Sequence, residues 1–134
     1  MSQLPLPRAV SRSGLVSTLA KDADTLLDSP YGIAVHVECL PGPGCVSDAT
    51  VYVSSYHSHS LARISPEGRV NILAGCGAPR QADGYGAAAA FHAPNGLAVD
   101  ADGVLFVADS GNHCLRRITP DGEVRTIAGD VGCP

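Results

Sequence analysis

Residues 51–75 and 105–129 are two copies of one 25-residue pattern, and that repeat restricts the chain to an architecture made by stacking like units. At a shift of 54, ten of the 25 positions are identical, including His59/His113, Leu61/Leu115, Arg63/Arg117, Ile64/Ile118, Pro66/Pro120, Gly68/Gly122 and Gly75/Gly129. Upstream, Pro30-Tyr31-Gly32-Ile33-Ala34-Val35 matches Pro94-Asn95-Gly96-Leu97-Ala98-Val99 at a shift of 64. The two shifts differ by ten, so copy one carries ten extra residues between Val35 and Val51.

Each copy divides into four short strands. The expected spans are 32–36, 51–55, 60–65 and 69–74, then 96–100, 104–108, 114–119 and 123–128. Turn chemistry sets the breaks. In Ser65-Pro66-Glu67-Gly68 and Thr119-Pro120-Asp121-Gly122, Pro presets φ at the first corner and Gly takes the left-handed position. Ala101-Asp102-Gly103 is a further hairpin signal. Four antiparallel strands per repeat of this length predict propeller blades, each buried only when neighbours stack on it. Val16-Ser17-Thr18-Leu19-Ala20 resembles the fourth strand Val124–Ala128, which predicts a lone outer strand of a preceding blade. Two blades and one strand do not close a ring, since closed propellers use about four to eight blades. The chain is therefore expected to be part of a longer propeller, with apolar end faces that invite association.

Composition agrees with many short strands. Gly and Pro together supply 25 residues, and with aromatic content at 4% and no Trp the core falls to Val, Leu, Ile and Ala. The net charge of −4 and the dispersed arginines lack the basic stripe of most nucleic-acid binders. No apolar run approaches the roughly 20 residues of a membrane helix, so no membrane contact is expected. Residues 1–20 have no secretory-type apolar core, which makes the cytoplasm the default setting. Five cysteines without a C-x-x-C pair give no zinc framework, and no cofactor is implied.

The order of motifs in copy two is specific. Asp83-Gly84-x-Gly86-x-x-Ala89-x-Phe91-x-x-Pro94-x-Gly96 leads through Leu105-Phe106-Val107-Ala108-Asp109-Ser110-Gly111-Asn112-His113 to Leu115-Arg116-x-Ile118 and Gly122-x-Val124. This resembles an NHL repeat. Copy one departs from it, with Ser55 where Asp109 stands and Ser58 where Asn112 stands. The resemblance implies an all-β, partial β-propeller, with two four-stranded antiparallel NHL blades plus a lone N-terminal outer strand, in a complete six-bladed ring. The expected organisation is a disordered segment 1–14, an outer strand and linker 15–31, and blade one 32–75 with its insertion 36–50. An inter-blade loop 76–95, blade two 96–129 and a tail 130–134 follow.

Antiparallel order places the inter-blade loops on one face with the 55–60 and 109–114 turns. That face is expected to gather Tyr56, His57, His59, Arg80, Tyr85, His92, Asn95 and His113 as a binding surface. The insertion from His36 to Thr50 falls on the other face with the Pro-Glu-Gly and Pro-Asp-Gly turns. His59 and His113 share a repeat position, so a turn-tying hydrogen bond is the reading for both. His57-x-His59 offers two metal ligands without a spaced third, so no metal site is assigned. Asp109, Ser110 and His113 have triad composition but no nucleophile elbow, so no catalytic residue is assigned. The chain reads as a non-enzymatic, protein-binding scaffold. Two alternatives stand beside it: a metal-dependent lyase or hydrolase-like propeller, and single-stranded RNA binding on the Arg80/Tyr85 face. A protein partner and self-association through the open blade faces are the expected contacts.

Overall fold

A computed structural model describes residues 8–10, 13–14, 16–18, 27–39 and 47–129. Two antiparallel sheets form the body. Blade one contains β3 (Pro30–Cys39), β4 (Ser47–Ser55), β5 (Ser60–Ile64) and β6 (Val70–Ala74), neighbouring in chain order. Blade two contains β8 (Pro94–Val99), β9 (Leu105–Asp109), β10 (Cys114–Ile118) and β11 (Glu123–Gly129), with the two-residue β7 (Gly84–Tyr85) added outside β11. The turn glycines behave as their sequence predicts. Gly68 and Gly122 have φ of 91° and 95°, and each donates its N–H to the carbonyl three residues back.

Three local features differ from expectation. Val16–Thr18 (β2) is not alone but pairs with Arg8–Val10 (β1), inside the stretch expected to be disordered. An unpaired strand leaves a row of backbone donors and acceptors open, and the hairpin satisfies one side of it. Leu19 and Ala20, and residues 1–7, 40–46 and 130–134, lie outside the described residues. The insertion is mostly strand, because β3 and β4 continue their register through His36↔Thr50 and Glu38↔Asp48. Pro and Gly are confined to 41–44, so nothing breaks the ladder before the tip. The inter-blade segment doubles back on itself through Arg80 N–H to the Phe91 carbonyl and an Ala82↔Ala90 bridge. Its 3₁₀ turn at Gly86–Ala88 leads to Phe91, which is fully buried.

The core lies between the blades. Tyr52, Leu61 and Leu73 of blade one pack with Leu105, Val107, Ile118 and Val124 of blade two. At the repeat shift of 54, Tyr52, Leu61 and Leu73 correspond to Phe106, Leu115 and Ile127. The first three are at most 9% exposed, whereas the second three are 36–49% exposed. Blade two therefore presents outward the same apolar surface that blade one buries against it. Leaving such side chains open forgoes roughly 1.5–3 kcal/mol each. On the far side, Ile33, Val35 and Val37 form a second exposed row along one face of β3.

Candidate functional site

The turn after β4 and the turn after β9 place the histidines. His59 and His113 both adopt the left-handed backbone region, with φ of 51° and 53°. Histidine enters that region more readily than most residues. His59 Nδ1 accepts the Ala93 N–H at 2.9 Å and so ties blade one to the start of blade two. Its ring meets the His92 ring edge-on at 5.4 Å, and the His92 carbonyl accepts the Gly111 N–H at 2.8 Å. Burial, followed by the proximity of His92 and His57, lowers the His59 pKa and keeps the imidazole in the neutral form that can accept. Beside this group, Tyr31, Tyr56 and His57 make a contiguous aromatic row with centroid separations of 5.1 and 5.2 Å. His113 is exposed and occupies the repeat position from which His59 grips the next blade.

The remaining sequence-predicted residues divide. Asn95 accepts a 2.7 Å bond at its carbonyl from Ser54 Oγ, at the seam between the inner strands. Arg80 holds the Asn112 side chain through its carbonyl, near His113. Tyr85 is elsewhere: it pairs with Glu123 at the start of β11 and donates its hydroxyl to Glu123 Oε2 at 3.2 Å. His113 adjoins Cys114, which pairs with Gly129 at the other end of β11. Six residues of strand, about 20 Å, separate the two positions. The doubled-back segment thus carries Tyr85 away from Arg80, toward the start of β11.

Asp109 is committed to structure. It is fully buried with Arg116, whose Nη1 donates to Asp109 Oδ2 at 2.7 Å. Asn112 Nδ2 donates to the same carboxylate, and the His92 N–H donates to its other oxygen. Arg116 also reaches Asp83 at 3.0 Å and the Ala82 and Ala90 carbonyls, and it lies over the Phe91 ring at 4.9 Å. Blade one replaces the whole set. At the repeat shifts, Ser55, Ser58, Ala62 and Leu27 stand for Asp109, Asn112, Arg116 and Phe91. Ser55 Oγ accepts the Asp28 N–H at 2.8 Å, as Asp109 accepts that of His92, and lies 2.6 Å from Ser58 Oγ. A buried carboxylate is retained only where its arginine is present.

At the far end of the sheets is a cleft of about 370 Å³ that sequence reasoning did not select, walled by His36, Glu38, Tyr52, Arg63, Asn71 and Asp102. Its signal in the sequence was the break in the repeat at 36–50. Among the described residues, no three His, Cys, Asp or Glu side chains converge in a metal-binding group. No helix among them is long and apolar enough to cross a membrane.

The NHL repeat family profile matches residues 91–118. The protein SUPPRESSOR OF QUENCHING 1, chloroplastic, of Arabidopsis thaliana is 32% identical over 110 residues, covering 78% of this chain and 10% of that protein. NHL repeat-containing protein 2 of Homo sapiens is 29% identical over 120 residues, covering 81% and 16%. The chain thus spans between a tenth and a sixth of these relatives. Among solved structures, an auxiliary nutrient binding protein from Bacteroides thetaiotaomicron superimposes with a TM-score of 0.61 at 23% identity, over 90% of this chain and 30% of that one. Virginiamycin B lyase from Staphylococcus aureus does so with a TM-score of 0.54 at 19% identity, over 95% and 34%. At these identities the likeness concerns the fold.

Proposed function

This chain belongs to the NHL-repeat β-propeller proteins, and from that premise we propose that it is a non-enzymatic interaction module that binds a protein partner. The observation that supports this reading most directly is the aromatic row formed by exposed Tyr31 at the start of β3 with half-exposed Tyr56 and exposed His57 on the turn after β4. Aromatic side chains that are prepositioned and open are the usual anchors of protein interfaces. Of the residues that invited a hydrolytic reading, Asp109 has another duty. Its carboxylate accepts from Arg116, Asn112 and the His92 N–H. Cys76 and Cys114 carry free thiols, which suits a reducing compartment, and the cytoplasm is the setting this reading adopts.

The test is quantitative affinity capture with the wild-type chain and a Tyr56→Ala/His57→Ala double variant. Both substitutions lie on exposed or half-exposed turn positions, so the fold is retained. Removing two anchors is expected to lower recovery of the specific partner at least about tenfold, since hot-spot truncations cost about 2 kcal/mol or more each. Equal recovery by both forms would count against this surface.

A further inference from the structure

We propose that the cleft between blade one and the turns of blade two binds a small zwitterion, holding its carboxylate on Tyr52, Arg63 and Asn71 and its cationic end toward Glu38 and Asp102. This site is separate from the aromatic row and takes a different class of ligand.

The strand register lines up the donors. Tyr52 pairs with Arg63, and Arg63 pairs with Asn71, so the three occupy one row across β4, β5 and β6. Directly paired residues have Cβ atoms about 4.5–5.5 Å apart and share a face. The row therefore presents a phenol O–H, a guanidinium and an amide NH₂ side by side, all of which serve a carboxylate.

These donors are not spent on the fold. Among the described residues, the Tyr52 hydroxyl and the Asn71 side chain have no hydrogen-bond partner, and Arg63 has no carboxylate within ion-pair distance. Arg63 makes one long contact, 3.5 Å to the Pro120 carbonyl. Burial raises the Tyr52 pKa, so the hydroxyl keeps its proton for donation.

The repeat separates structural from added chemistry. Blade two carries Phe106 where blade one has Tyr52, and Arg125 where blade one has Asn71. The repeat thus accepts a ring without a hydroxyl at this position. The second wall comes from the paired part of the insertion, where His36 Nε2 lies 3.0 Å from the Ala101 carbonyl and clasps the hairpin to the blade-two turn. Glu38 extends beyond it on the same face, and Asp102 stands opposite on that turn. A cavity of about 370 Å³ falls within the usual range for small-ligand sites.

Calorimetric titration of the full chain with glycylglycine, N-acetylglycylglycine and glycylglycine amide tests the assignment. Glycylglycine is expected to bind; the acetylated form lacks the cation and the amide lacks the carboxylate, so both bind at least about tenfold more weakly, near 1.4 kcal/mol each. Arg63→Gln is expected to weaken glycylglycine by about the same factor. Tyr52→Phe installs the blade-two residue, retains the fold and still weakens binding several-fold. Titration with a tetrapeptide of free C-terminus distinguishes a small-molecule site from capture of a partner's chain end. No binding of any probe, equal binding of the three dipeptides, or equal affinity in wild type, Arg63→Gln and Tyr52→Phe would overturn the proposal.

Discussion

Arg116→Ala is expected to cost about 3–5 kcal/mol, because it leaves the fully buried Asp109 carboxylate without its cation. The loss extends beyond the pair. Arg116 also bridges Asp83 and the Ala82 and Ala90 carbonyls, so the doubled-back segment that covers blade two loses its anchor. The rescue distinguishes an uncompensated charge from lost packing. Blade one has Ala62 and Ser55 at the equivalent positions and buries both. Adding Asp109→Ser and Asn112→Ser to Arg116→Ala reproduces that arrangement and is expected to restore a substantial part of the loss. Urea midpoints of the single and triple variants provide the comparison, and a triple variant less stable than Arg116→Ala alone would refute the charge argument.

Gly32→Ala is the second large effect. A Cβ at Gly32 would lie 2.0 Å from the Asn95 carbonyl oxygen and 2.9 Å from Ser54 Oγ. Both atoms belong to the inter-blade seam, where the Gly32 N–H donates to Ser54 Oγ and Ser54 Oγ donates to the Asn95 carbonyl, each at 2.7 Å. The obstacle is backbone, so the blades must separate, at a cost of about 3 kcal/mol, the upper range for overpacking. Gly96 holds the same repeat position in blade two, and its nearest neighbour there is Ala108 Cβ at 3.9 Å. In this chain Gly96→Ala is expected to change stability by less than about 1 kcal/mol. Denaturant curves of the two variants decide the matter. Equal costs would mean that the close approach at Gly32 is not what requires glycine.

The propeller organisation was legible in the sequence because turn chemistry repeats with it. Ser-Pro-Glu-Gly and Thr-Pro-Asp-Gly mark the same corner twice, and His59 and His113 share a left-handed turn position, although the His59 bond runs to Ala93 of the next blade and not within its own turn. The path of residues 76–94 was not legible. Assigning loops to faces by strand direction assumes that a loop stays at the end where it starts, whereas the Ala82↔Ala90 pairing carries Tyr85 along β11. The insertion was equally opaque, because its length said nothing of the register that β3 and β4 maintain to Cys39 and Ser47. Asp109 with Ser110 and His113 suggested chemistry by composition alone. Its partner Arg116 lies across the sheet, and the exchange of both residues in blade one is what shows them to be a packing unit.

Phe106, Leu115 and Ile127 are the open counterparts of Tyr52, Leu61 and Leu73, which blade two covers. Gly96 and His113 are the open counterparts of Gly32 and His59, which grip the neighbouring blade. A further blade of the same kind on that face, from a longer chain or from another copy, is the cover expected for these side chains. The native mass of the endogenous protein tests this most directly. A particle several times 13.7 kDa, in which the face of blade two is buried, is expected. A monomeric particle of 13.7 kDa, with Phe106 and Leu115 open to solvent, would contradict it.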